Sequence, residues 1–118
     1  NGLLKVIKRS GIEVYTRSIF LQGLLYFSND QILKAFPGLY EPFKKLNTLA
    51  NKYSISIAQL SLLWVYSLKD VTKLIIGFDS LNQLENCLQT LTIKIEPYVF
   101  NEALDINCTT KELNPSLW

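Results

Sequence analysis

The 118-residue chain contains no histidine. That one absence excludes serine or cysteine triads built on His, His-ligated zinc and imidazole acid–base chemistry within these residues. Charge of one sign is also scarce. A net charge of +2 is too small to argue for nucleic acid or an acidic membrane surface. Long apolar runs are missing, and the longest fall far short of the ~20 residues that a membrane span needs. Only two cysteines occur, Cys87 and Cys108, with neither disulfide-framework nor metal-ligand spacing. They are expected to be buried or half-buried small apolar residues in a reducing, cytoplasmic setting. No signal-peptide pattern opens the sequence. It starts on Asn rather than Met, which suggests processing or excision from something longer.

What is present is ordinary for one folded domain. Apolar residues make up 48% of the chain and charged residues 19%, which excludes disorder. The most informative stretch is Gly11 to Gly23, GIEVYTRSIFLQG. Ile12, Val14 and Thr16 alternate with Glu13, Tyr15 and Arg17, the period of a strand. Gly11 can end the preceding helix in the left-handed conformation. Ser18, Gln22 and Gly23 follow the strand's carboxyl end, where parallel α/β proteins bind ligands.

The rest of the chain is mostly helical in pattern. Leu3 to Ser10 reads as the last turns of an amphipathic helix with cations near its C-terminus. Asn29-Asp30 marks a turn or helix start, and Pro37-Gly38 is a breaker. A helix runs from about Pro42 to Tyr53, with Phe43, Leu46, Ala50 and Tyr53 on one face and the Glu41, Lys44, Lys45 and Lys52 charges solvated. Ser56 and Gln59 form a capping box ahead of a helix, Ile57 to Leu68, that is apolar nearly all round. Trp64 is expected in its core. Val71 to Phe78 reads as a strand covered on both faces. Ser80 and Gln83 form a second capping box, and Leu81, Leu84, Leu88 and Leu91 make one apolar helix stripe. Pro97 opens a last helix of about ten residues, with Val99 or Phe100, Leu104 and Ile106 inward. Leu113 to Trp118 reads as a loop ending in an apolar Leu117-Trp118 pair. Tyr15, Tyr26 and Tyr40 could tempt a search for a catalytic phenol, but Tyr15 is expected to be a packing residue of its strand.

Strands separated by helices imply parallel pairing. Two strands cannot cover the apolar faces of all these helices, so the chain reads as part of a larger α/β fold. A (β/α)8 barrel typically takes about 250 residues. The fold class expected is therefore the C-terminal portion of such a barrel, with parallel strands and extra C-terminal helices.

Three segments carry a family resemblance. GIEVYTRSIFLQGLL resembles the seventh strand and following loop of the aldo/keto reductases. NKYSISIAQLSLLWVYS resembles the helix before their eighth strand, and VTKLIIGFDSLNQLENCLQTL resembles that strand, its turn and the next helix. The similarity covers roughly Leu4 to Asp105 in unbroken family order. It implies that residues 1–118 are the C-terminal part of one barrel domain. It implies a bound nicotinamide cofactor, NADPH or NADH, and hydride transfer that reduces aldehyde or ketone carbonyls to alcohols. The family's acid–base tetrad of Tyr, Lys, Asp and His comes from the first half of the barrel. No catalytic residue is therefore expected in this chain, nor any metal site.

The resemblance assigns cofactor contacts position by position. Arg17 stands where many members stack an aromatic ring on the nicotinamide, and a planar guanidinium can stack too. Ser18 is expected at the pyrophosphate. Phe20, Gln22 and Gly23 belong to the loop whose backbone approaches the phosphates, and Gly allows that approach. Gly77, Phe78 and Asp79 lie at the adenosine half, with the amides of the helix from Ser80 offered to a phosphate. Gln83 is expected near the adenosine ribose. The family's adenine-gripping Glu-Asn pair aligns with Asn86 and Cys87, so Cys87 loses that chemistry. No basic residue lies between Gly77 and Leu88, which implies weakened NADP preference or tolerance of NAD. The partner expected is a small carbonyl substrate, with no nucleic acid or membrane, and self-association of the isolated segment. Two alternatives differ in class. One is a catalytically inactive relative serving as a binding or interaction module. The other is a helical regulator, disfavoured because Ser54 to Leu68 lacks a basic recognition helix.

Overall fold

The structure is a computed structural model that describes residues 2–114. Pro115 to Trp118, including the Leu117-Trp118 pair, lie outside the described residues. Six α-helices and two short strands are described: α1 Leu3–Arg9, β1 Tyr15–Arg17, α2 Asn29–Ala35, α3 Tyr40–Lys52, α4 Ile57–Ser67, β2 Lys73–Ile75, α5 Leu81–Thr90 and α6 Pro97–Leu104. The strands pair in parallel, with Tyr15 opposite Lys73, Thr16 opposite Leu74 and Arg17 opposite Ile75. The chain is thus helix-rich α/β. No helix among the described residues is long and apolar enough to cross a membrane.

Local chemistry sets the element ends. Gly11 follows α1 with φ of 73° and its amide donates to the Lys8 carbonyl at 3.0 Å. Ser28 and Gln31 form a reciprocal capping box that starts α2. Ser56 and Gln59 do the same for α4. At α5 only half the expected box forms. Ser80 Oγ accepts from the Gln83 amide at 3.3 Å, but Gln83 Oε1 accepts from the Asp79 amide at 2.9 Å, one residue earlier.

The core lies among the helices rather than under the sheet. Ile32 of α2, Phe43 and Ala50 of α3, Leu60 and Leu63 of α4 and Val99 of α6 pack into one cluster. A fully buried side chain such as Ile32 or Val99 contributes about 2 kcal/mol of transfer free energy. The Lys44, Lys45 and Lys52 face of α3 is exposed, as its pattern indicates.

Burial departs from the sequence pattern around the sheet. The strands are shorter than the alternating runs and pair over three residues each. They are not covered on both faces. Tyr15, Arg17, Lys73 and Ile75 form an exposed face, while Val14, Thr16, Leu74 and Ile76 are half-buried on the other. Tyr15 is accordingly no packing residue: its hydroxyl donates to Glu13 Oε2 at 2.6 Å, and Lys73 Nζ lies 5.1 Å from its ring. Trp64 is half-buried and lines a cavity instead of filling the core. On α5 the leucine stripe is largely uncovered, with Leu81 and Leu88 exposed, and Cys87 and Thr90 form the buried face. α6 has eight residues, and its Leu104 is exposed rather than inward. The common reason is that no described element packs against these faces.

Candidate functional site

The parallel register brings the carboxyl ends of β1 and β2 side by side, with Arg17 opposite Ile75. The loop after β1 therefore faces the turn after β2. That loop is tightly wound. Ser18, Leu21, Gln22 and Gly23 have φ of 59°, 48°, 54° and 91°. Three non-glycine residues in the left-handed region store about 1 kcal/mol each, a cost that surrounding contacts must offset. The contacts are visible. The Leu21 amide donates to the Ser18 carbonyl at 2.9 Å and the Gly23 amide to the Phe20 carbonyl at 3.0 Å. Ser61 Oγ, from α4, donates to the Ile19 carbonyl at 3.0 Å, and Leu24 is buried beneath the loop. Among the described residues no protein acceptor pairs with the amides of Ile19, Phe20 and Gln22.

These features enclose a cavity of about 310 Å³ lined by Arg17, Ser18, Ile19, Phe20, Gln22 and Gly23 from the first loop and by Ile75, Ile76 and Gly77 from the second. Arg17 makes no ion pair among the described residues, so its guanidinium is available to an anion or a π-face. A Cβ built on Gly77 would meet nothing within 4 Å, so this backbone is open to a bound group. Free amides, an unpaired guanidinium and an open glycine suit the pyrophosphate-bearing part of a dinucleotide.

A second cavity of about 410 Å³ shares Phe20 with the first. Tyr26, Gln59, Gln83, Asn86, Cys87 and Thr90 also line it. The Phe20 and Tyr26 rings lie 5.3 Å apart at 57°. Gln59 bridges α4 to α5: while its Oε1 caps Ser56, its Nε2 donates to Thr90 Oγ1 at 3.2 Å. Thr90 Oγ1 in turn donates to the Asn86 carbonyl at 2.7 Å, fixing that turn of α5. Burial pushes the Cys87 thiol above its ordinary pKa, and burial followed by the neighbouring Cys87 does the same to the Tyr26 phenol. Both groups therefore stay neutral here, and neither is an activated nucleophile or base.

The structure thus gathers Arg17, Ser18, Phe20, Gln22, Gly23 and Gly77 around one cavity, and Gln83 and Asn86 around its neighbour. Phe78 goes elsewhere, lining a separate apolar cavity with Leu62, Tyr66, Leu84 and Leu88 between α4, β2 and α5. Asp79 lines neither cavity and is exposed at the start of α5. Sequence reasoning missed Ser61 and the cross-link from Gln59. A signal was available in both: they are the two polar side chains inside the apolar run of α4, and such groups need partners.

A search among curated proteins returns no match. The family model described as the aldo/keto reductase family matches residues 1–107. That match covers both strands, the two loops at their carboxyl ends and the helices that hold them, and on it the chain belongs to the aldo/keto reductase family.

Proposed function

We propose that these residues form the cofactor-holding, C-terminal part of a reductase barrel, residues 1–118 belonging to a single domain. Aldo/keto reductases are in general oxidoreductases of carbonyl compounds that use NAD(P)H, and the family implies a (β/α)8 barrel. On this reading the whole enzyme reduces aldehydes or ketones to alcohols. The bound cofactor supplies the hydride. This chain's residues would bind and orient it: Arg17 would meet the nicotinamide, while Ser18 and the free amides of Phe20 and Gln22 would take the pyrophosphate. Gln83 and Asn86 lie toward the adenosine with Asp79 beside them, Gly77 opens its backbone to the phosphates, and Phe78 supports the turn from beneath. No proton donor for the carbonyl oxygen is assigned here, and 118 residues alone are inactive.

One observation carries the reading: the register of Arg17 against Ile75 sets two loops, distant in sequence, around one cavity with free donors. The test is titration of the full polypeptide with NADH and NADPH, followed by cofactor fluorescence, for the unmodified protein and for Arg17→Ala and Ser18→Ala. Saturable binding that weakens in both variants is expected. Binding unaffected by either substitution would refute the assignment.

Two corollaries belong to the same proposal. Both described cysteines are free, in keeping with a reducing, cytoplasmic setting. The sheet has unpaired edges, and Ile12, Ile75 and Leu81 are 58%, 55% and 69% exposed, so residues 1–118 produced alone self-associate. A concentration-independent monomer in sedimentation would contradict that.

A further inference from the structure

We infer that Asp79 is a specificity-determining residue that sets the site against a 2′-phosphate, so that the dinucleotide taken is NADH rather than NADPH. The inference rests on the reading that this chain holds a dinucleotide.

The two cavities share Phe20 but differ in lining. The first carries Ser18 and the free loop amides, the chemistry of a pyrophosphate site, with Arg17 at its nicotinamide end. The second is lined by amide side chains, two aromatic rings and apolar groups, and neither Lys nor Arg lines it. Such a lining suits a neutral nitrogen heterocycle, which stacks and exchanges hydrogen bonds with amides. A dinucleotide whose phosphates occupy the first cavity therefore puts its base, and the ribose leading to it, into the second. An additional phosphate on that ribose brings a charge of nearly −2 into a lining that has no cation.

Two further observations turn absence of attraction into repulsion. Near the start of α5, two of the amides that a phosphate could use are already committed. The Gln83 amide donates to Ser80 Oγ, and the Asp79 amide donates to Gln83 Oε1 at 2.9 Å. This same Gln83 lines the second cavity. Asp79 is thereby tied beside that cavity, and its carboxylate is exposed with no ion pair among the described residues. An unpaired carboxylate on the rim of a site disfavours a phosphate dianion there by about tenfold in affinity.

The experiment measures dissociation constants of NADH and NADPH for the full polypeptide by calorimetry, with no turnover required. The unmodified protein is compared with Asp79→Lys, which reverses the charge and leaves the backbone amide bond to Gln83 in place. NADH is expected to bind at least as tightly as NADPH. Asp79→Lys is expected to shift the ratio of the two constants toward NADPH by about tenfold or more, and added salt to shrink that shift. Tighter NADPH binding by the unmodified protein would overturn the inference, as would a ratio that Asp79→Lys leaves unmoved. Binding of neither cofactor would overturn it differently, by removing the reading on which it rests.

Discussion

Gln59 is the side chain whose replacement tests the packing argument most directly. It uses both ends of its amide. Oε1 accepts from the exposed Ser56 amide at 2.9 Å, and Nε2 donates to the buried Thr90 Oγ1 at 3.2 Å. Gln59→Met keeps the length and most of the volume, so no cavity opens and the loss is confined to hydrogen bonding. The Ser56 amide can turn to water, which limits that part to about 0.5–1 kcal/mol. Thr90 is 3% exposed, and its hydroxyl loses its donor, adding about 1 kcal/mol. The total is about 2 kcal/mol, or a fall of roughly 4–8 °C in Tm for a barrel of about 250 residues. Urea denaturation of the full polypeptide measures it, and an unchanged slope shows that compactness has not altered. Gln83→Met serves as the comparison. Its side chain makes a single bond, to the Asp79 amide in an exposed turn, and the expected loss is below about 0.5 kcal/mol. Combining Gln59→Met with Thr90→Val isolates the cross-link, with a coupling of about 0.5–1 kcal/mol. If Gln59→Met proved as mild as Gln83→Met, the bridge between α4 and α5 would not hold the second cavity together.

Three other outcomes follow from the loop and the buried thiol. Gly23→Ala meets no steric neighbour, yet φ of 91° penalises any Cβ, so a loss of about 1–2 kcal/mol is expected in thermal denaturation. Gly77→Ala, also sterically free and without a left-handed φ, should leave stability within about 1 kcal/mol, and equal losses in the two variants would refute the backbone argument. Ser61→Ala removes the clamp on the Ile19 carbonyl and should cost about 1 kcal/mol while weakening dinucleotide binding. An unchanged affinity in calorimetry would show that the loop holds its shape without α4. For Cys87, burial raises the folded-state pKa above that of the unfolded chain. Its contribution to stability is thus fully present below the ordinary thiol pKa of about 8.5 and is lost as pH rises above it. Cys87→Ala should flatten the stability profile in that alkaline window, and an identical slope in the variant would count against burial as the cause.

Helices were legible wherever a local signal sufficed. The Ser56–Gln59 box, the face bearing Phe43 and Ala50, and Gly11 after α1 are decided within a few residues, and the structure shows each of them. Ser28 and Gln31 carried the same capping signal for α2. Burial was less legible, for a physical reason. The stripe of Leu81, Leu84, Leu88 and Leu91 shows which face of α5 seeks cover, but the cover must come from another element. Leu81 and Leu88 are exposed because no described element meets them. Trp64 and Leu104 follow the same rule on the walls of a cavity of about 530 Å³. Gln59 and Ser61 present the converse: their partners lie 31 and 42 residues away, and no local spacing predicts such bonds.

Phe78 is the position where elementary geometry and family resemblance point in different directions. Resemblance puts Gly77, Phe78 and Asp79 together at the cofactor. Side chains in an extended segment alternate between two faces, and the alternation here continues beyond the paired residues of β2. From Leu74 onward the alternation is clean on this side: Leu74, Ile76 and Phe78 line the apolar cavity against α4 and α5, together with Val71, Thr72 and Lys73 where the strand begins. Ile75 and Gly77, on the opposite parity, line the cavity at the end of β1 together with Ile76. Phe78 thus anchors the turn from beneath, and Gly77 presents its open backbone to the site. Phe78→Ala should consequently lower stability by roughly 1–3 kcal/mol, as expected for a large side chain that is 37% exposed, while leaving dinucleotide affinity nearly unaltered under conditions where the protein remains folded. Calorimetric titration beside thermal denaturation separates the two effects. A loss of affinity with unchanged stability would place the ring at the cofactor after all and overturn the parity argument.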